Sequence, residues 1–395
     1  MIPRKLQGKL RELAKGFPVV SLTGPRQSGK TTLVKKVFYK YNYVSLENTD
    51  VMLAAQEDPR RFLAQYQDSG VIIDEAQRAP ELFSYLQEIV DGSRKMGRYI
   101  LTGSQNFLLL ESITQSLAGR AAIVHLLPFS ADEIEPAGLL EDNLDSAMFK
   151  GMYPPLYDRP VAPTDFYPSY IETYLERDVR SMKNIGNLAL FRKFIQLCAG
   201  RIGQLLNMTS LGNEIGVDHK TIRSWLSVLE ASFIIFLLQP YHQNWNKRLV
   251  KQPKLYFYDT GLLCSLLNLQ GANDLGLHHL RGNIYENYVI SEYIKGQLHS
   301  GIRPSAFFWR DHSGHEVDLI IEKGTSLKAI EIKSTTTLNS NLFNGLRWFS
   351  KQTGLSSDDC ALVYGGNETQ DRAAGRVIPW QRIQDINIPI PSPSD

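Results

Sequence analysis

Apolar residues fall along the first third of this chain in two alternating patterns. Continuous runs at 18–22, 43–46, 70–73, 99–101 and 122–127 have the form of strands buried on both faces of a parallel sheet. Between them the spacing becomes helical, as at Leu6, Leu10, Leu13 and Ala14 before the stop at Gly16, and again over 32–38. The alternation predicts an α/β domain over 1–135, a parallel sheet with helices on both faces. Two of its strands end in polar tips, Asp74-Glu75 and Ser104-Gln105, where ligands of such sheets bind. The first helix is expected to pack beside that ligand.

Further on the pattern changes. Residues 136–165 are rich in Pro and acids, with Pro154-Pro155 and Arg159-Pro160 as breakers, and read as a lid or linker. Within 166–278, Leu211, Ile215, Val217, Ile222 and Trp225 surround a turn at Gly216, and Asp218 stands where it would cap the next helix. That is helix-turn-helix patterning, with His219, Lys220, Arg223 and Ser224 facing outward. The densest basic string follows, Asn244-Trp245-Asn246-Lys247-Arg248-Leu249-Val250-Lys251 and then Lys254, and on a wing it would lie along a nucleic-acid backbone. A last domain is expected over 279–386. It opens with a helix carrying Ile284, Tyr285, Tyr288, Val289 and Tyr293, with Glu286 on its flank, and continues in strands at 316–322 and 327–333. The alternating prolines of 387–395 predict a loose tail.

Composition narrows the class. A chain of 395 residues needs more than one core, and 43% hydrophobic with 21% charged residues is ordinary for a globular protein. A formal charge of +2 is too small to mark a nucleic-acid binder, so that reading rests on local clusters. Cys198, Cys264 and Cys360 lack metal-ligand spacing and read as reduced thiols. With no signal-like start and no apolar run of membrane-spanning length, the expectation is a cytoplasmic protein without membrane contact.

The sharpest chemical signal is Gly24-Pro25-Arg26-Gln27-Ser28-Gly29-Lys30-Thr31, a G-x-x-x-x-G-K-[ST] string between the first strand and a helix. Glycines let the backbone wrap around phosphate oxygens, and the helix adds its positive end. The nucleotide cradle is expected to be Gly24, Pro25, Arg26, Gln27, Ser28, Gly29, Lys30, Thr31 and Thr32, with ATP and Mg²⁺ as cofactors. Lys30 would reach the β- and γ-phosphates, Thr31 and Asp74 would hold Mg²⁺, and Glu75 would activate water. Ser104 or Gln105 would approach the γ-phosphate from the far side. Arg120, in Ser116-Leu117-Ala118-Gly119-Arg120, would either reach a neighbouring subunit's nucleotide or cap its own helix.

A second candidate site follows from strand register. If 323–326 closes a symmetric hairpin, Asp318 faces Glu331 and Glu316 faces Lys333, all on one face. Like charges across a hairpin disfavour the sheet, so the carboxylate pair calls for a cation.

Several strings resemble prokaryotic AAA-type ATPases with a conserved C-terminal region. They are Leu22-Thr23-Gly24-Pro25-Arg26-Gln27, Ile73-Asp74-Glu75-Ala76-Gln77-Arg78-Ala79-Pro80, Leu101-Thr102-Gly103-Ser104-Gln105, Tyr174-Leu175-Glu176-Arg177-Asp178-Val179 and Tyr256-Phe257-Tyr258-Asp259-Thr260-Gly261-Leu262. The resemblance implies an AAA-like P-loop domain, a winged-helix region and a restriction-endonuclease-like region. Asp318, Glu331 and Lys333 are similar to a PD-(D/E)xK arrangement, in which Asp318 and Glu331 match metal ligands, Lys333 the catalytic lysine and Glu286 the helix acid. The primary expectation is thus a Mg²⁺-dependent ATPase that moves DNA-associated C-terminal domains, with a homo-oligomer as one assembly. Two rivals stand beside it: a nucleotide-gated protein-interaction switch and an ATP-regulated metal-dependent nuclease.

Overall fold

The computed structural model describes residues 2–93, 95–104, 109, 113, 115–179, 187–241 and 251–387, leaving aside the side chains of 176–179 and 387. Gln105, the string 244–250 and the tail beyond 387 lie outside the described residues.

Val19–Thr23 (β1), Asn42–Ser45 (β2), Val71–Asp74 (β3), Tyr99–Gly103 (β4) and Ala121–His125 (β5) form one parallel sheet, ordered β2-β3-β4-β1-β5. Strands β1, β3 and β4 are buried at every position, which is why they read as unbroken apolar runs. Leu6 and Leu10 of the helix Leu6–Gly16, with Leu33, Val34 and Val37 of Lys30–Val37, fill one face. Leu82, Phe83 and Leu86 of Leu82–Asp91 fill the other.

The rest of the chain is built around two apolar cores, a large one running from Phe129 to Ile386 and a smaller one around Trp309, Leu346 and Phe349. Helix Met208–Ile215 turns at Gly216, where φ is +86°, into helix His219–Ala231. Asp218 caps the second helix, accepting from Thr221 N at 2.7 Å, and His219, Lys220 and Arg223 are exposed. Ile235–Pro240 (β6) and Lys254–Phe257 (β7) then pair antiparallel.

That hairpin does not stand apart. Strand β6 also pairs in parallel with Ala306–Arg310 (β8), so one sheet runs across the position where separate middle and last domains are expected. With Glu316–Lys323 (β9), Ser326–Lys333 (β10), Cys360–Tyr364 (β11), Gln370–Arg372 (β12) and Gly375–Pro379 (β13), its order is β12-β13-β11-β10-β9-β8-β6-β7. The largely buried helix Arg281–His299 covers one face, and Leu346 and Phe349 of Asn344–Thr353 cover the other. A buried polar seam joins the two lobes. Arg4 bonds Glu133 at 3.1 Å and Ser28 O at 2.8 Å, and His299 meets Glu133 at 3.2 Å.

Candidate functional site

The loop from Gly24 to Gly29 leaves β1 with a backbone that side chains tolerate poorly. At Gly24 φ is +151°, and a Cβ there would collide with Leu126 O. The loop opens onto a crevice of about 380 Å³ lined by Arg26, Gln27, Gly29, Lys30, Thr31, Thr32, Glu75 and Ser104. Glu47, Pro154, Pro155, Asp158 and Arg159 complete its wall.

Lys30 is 6% exposed and donates to Gly24 O and Pro25 O, each at 2.8 Å. Burial pulls its ammonium down to about 8, against the attraction of Glu75 and Asp74, and Arg26 adds to the lowering. Asp74, at the carboxyl end of β3, accepts from Thr31 Oγ1 at 2.8 Å, from the Tyr43 hydroxyl at 2.8 Å, and from Thr102. The Tyr43 phenol is pushed up to about 12 by desolvation and then by its bond to Asp74. Glu75 has a left-handed backbone at φ +55°, an uncommon conformation for a side chain of that size. Its carboxylate accepts from Gln77 Nε2 at 2.5 Å and from Ser104 Oγ at 3.1 Å. The buried Ser28 Oγ finds no partner among the described residues.

A neighbouring crevice, also about 380 Å³, shares Gly29, Thr32, Pro154 and Asp158 with the first and is walled by Ile2, Leu33, Phe129, Leu139 and Tyr157. Gln7 lines it, with an Nε2 that lacks a partner among the described residues.

A family model described as an AAA domain matches residues 16–135, and two described as domains of unknown function, DUF8612 and DUF4143, match 141–273 and 281–383. An uncharacterized protein of Mycobacterium tuberculosis is 31% identical over 368 residues, covering 92% of this chain and 80% of its own. The chain belongs to the same family as this mycobacterial protein, and its first lobe is an AAA-type domain. An uncharacterized protein of Haemophilus influenzae is 22% identical over 303 residues, covering 69% of this chain and 74% of its own. Among solved structures, a Walker-type ATPase of Pyrococcus abyssi is similar over 67% of this chain and 96% of that chain, with 15% identity and a TM-score of 0.43.

In this AAA-type protein, Arg120 is not among the residues lining the crevice. Its guanidinium is held by Asp91 at 2.5 and 2.8 Å, and its Nη1 donates to Ala118 O at 3.1 Å. No described helix is long and apolar enough to cross a membrane.

The second candidate site gathers residues from three elements. The β9–β10 register is Leu327↔Glu322 through Ile330↔Leu319, as the symmetric hairpin requires. Beyond it, Ile332 N donates to Asp318 Oδ2 at 2.8 Å. The carboxylates of Glu286, Glu316 and Asp318 converge, each offering an oxygen within 4.8 Å of the others. Glu331 turns instead to Lys333 at 2.5 Å, and its Oε2 is buried without a partner among the described residues. Burial first, then the Asp318 charge, pushes the Glu331 carboxyl up to about 8. The cation that the facing acids call for is Lys333, whose Nζ also stands 3.5 Å from Asp318.

Lys254 corrects the sequence expectation. Instead of lying in a basic strip along a nucleic-acid backbone it is 2% exposed, bonded to Glu286 at 3.0 Å and to Glu316. Tyr256, two residues on along β7, also donates to Glu286. The resemblance to metal nucleases implies a divalent ion among these acids, and the residues as they stand do not fit one, because an ammonium already holds the oxygens it would need.

Residues that sequence reasoning missed are Gln7, Glu47, Pro154, Asp158, Arg159 and Lys254. The Pro154-Pro155 and Arg159-Pro160 breaks mark their segment as a lid or linker, the first helix, which carries Gln7, is expected beside the ligand, and the sequence places Lys254 in the basic string; nothing singles out Glu47 or Asp158.

Proposed function

We propose that the chain binds ATP with Mg²⁺ in the loop crevice, hydrolyses it, and uses the cycle to shift its helix-turn-helix and C-terminal sheet on DNA. The observation that carries the reading is the convergence of Lys30, Thr31, Glu75 and Ser104 around one opening, with Asp74 bonded to Thr31 just behind its wall. Lys30 binds the β- and γ-phosphates, and the orphaned Ser28 hydroxyl and loop N–H groups complete the cradle. Thr31 and Asp74 hold Mg²⁺, which when bound offsets phosphate charge. Glu75 orients the attacking water, with Ser104 fixing its carboxylate. The adjoining apolar crevice takes the base, and the unpartnered Gln7 amide bonds to its edge.

Contacts to the loop supply the coupling. Tyr170 on helix Pro163–Tyr170 reaches Arg26 O at 3.4 Å, and Arg4 ties Ser28 O to Glu133 and the end of helix Arg281–His299. A shift of the loop is therefore felt in the second lobe. Exposed His219, Lys220 and Arg223 on the capped helix favour DNA contact. We read that helix pair with β6 and β7 as a winged helix, and the sheet beyond it as a PD-(D/E)xK-like fold that serves recognition.

The test is Glu75→Gln. It is expected to retain a non-hydrolysable ATP analogue within about threefold of wild-type affinity while turnover falls by roughly 10²–10⁴, the usual contribution of a positioned base. Normal turnover would overturn the assignment.

A further inference from the structure

We infer that Lys254 is the resident cation of the C-terminal acidic cluster and keeps a divalent metal ion out of it. Each of the three converging carboxylates already has a cation from the chain. Glu286 has Lys254 at 3.0 Å, Glu316 has Lys254 and also Arg310 at 3.2 Å, and Asp318 has Lys333 at 3.5 Å. These cations are not equivalent. The side chains of Arg310 and Lys333 are each 38% exposed and can swing into solvent without unmaking the fold. That of Lys254 is 2% exposed, its ammonium lies 5.5 Å from the Phe308 ring centroid, and its backbone is locked into β7 opposite Leu238.

Lys254 also bridges two of the three carboxylates, so it occupies the middle of the candidate set rather than its rim. A divalent ion binding Glu286 and Glu316 would share their oxygens with a buried ammonium at near-contact distance, and the two positive charges would repel in a poorly screened site. Removing the ammonium reverses the balance. Glu286 and Glu316 then face each other across a gap that an oxygen-loving divalent ion fills well. The consequence for this lobe is contact with its partner without metal-dependent chemistry. The inference does not depend on the nucleotide reading, since the test contains no nucleotide.

The probe is Mn²⁺ alone, titrated into the full chain in nucleotide-free buffer and followed by calorimetry and by the melting curve. Wild type is expected to bind no Mn²⁺ that is lost in Asp318→Asn. Lys254→Met is expected to gain one Mn²⁺ site, at least tenfold tighter than any in wild type and abolished in the Lys254→Met, Asp318→Asn double variant. Lys254→Arg, which keeps the positive charge, gains none. Should Lys254→Met melt poorly because two acids are left facing each other, Mn²⁺ is expected to raise its melting temperature, and no rise overturns the inference. An Asp318-dependent Mn²⁺ site in wild type overturns it as well, whatever the variants do.

Discussion

Raising the pH from 7 to 9.5 should remove most of the crevice's affinity for a triphosphate, because Lys30 loses its proton over that interval. The group is 6% exposed, and burial brings its pKa from the usual 10.5 to about 8 in the free protein. A bound triphosphate favours the charged form, so above pH 8 the protein must take up a proton in order to bind. Affinity then falls about tenfold per pH unit, roughly thirtyfold by pH 9.5. The fall has a floor, since a hydrogen bond to a charged group contributes about 1.5–3 kcal/mol, or roughly 10–150-fold. Lys30→Ala should sit near that floor already at pH 7 and show no slope, so the two curves converge at high pH. The ligand adds nothing to the slope, because a terminal phosphate with a second pKa of about 6 is ionised throughout. Anisotropy of a fluorescent, non-hydrolysable ATP analogue at saturating Mg²⁺ measures both curves. A wild-type change of less than about threefold, or a parallel slope in Lys30→Ala, would refute the placement of Lys30 against the phosphates.

Two further outcomes follow from the second lobe. If the exposed Lys220 and Arg223 neutralise DNA phosphates, each alanine variant should lower the slope of log affinity against log salt by about one, read with labelled duplex between about 50 and 200 mM salt. An unchanged slope in both would favour a protein partner for this helix. Asp259 is 2% exposed and accepts from Met152 N at 2.7 Å, Leu262 N at 2.8 Å and the Tyr167 hydroxyl at 2.8 Å. Asp259→Ala strands the two backbone donors, while the Tyr167 hydroxyl keeps Lys150 O at 3.0 Å, and should cost about 2–4 kcal/mol in urea unfolding. A loss below about 1 kcal/mol would mean that water reaches them.

The nucleotide crevice was legible because its parts are short strings whose chemistry follows from consecutive residues. A glycine at a backbone angle closed to other side chains, a lysine at the start of a helix and acids ending a buried strand need only their own neighbours to be recognised. The β9–β10 register was legible for the same reason, since a short turn fixes which side chains face each other; the expected four-residue loop tightens to Gly324-Thr325 because Lys323 pairs with Ser326, which leaves the register unchanged. Lys254 shows where this reading stops. In sequence it closes a basic string and belongs to solvent, yet β7 joins the last sheet through β6 and β8 and carries the ammonium beneath helix Arg281–His299. Gln7, Asp158 and Arg159 likewise reach the crevices only because a helix before the loop and a turn long after it dock on the same rim. Sequence alone thus determined the α/β sheet, the phosphate cradle and the facing acids. That Lys254 answers Glu286 and Glu316, and what walls the crevice, was decided only in three dimensions, because those partners are brought together by the packing of strands and helices far apart in the chain, and no local pattern encodes that distance.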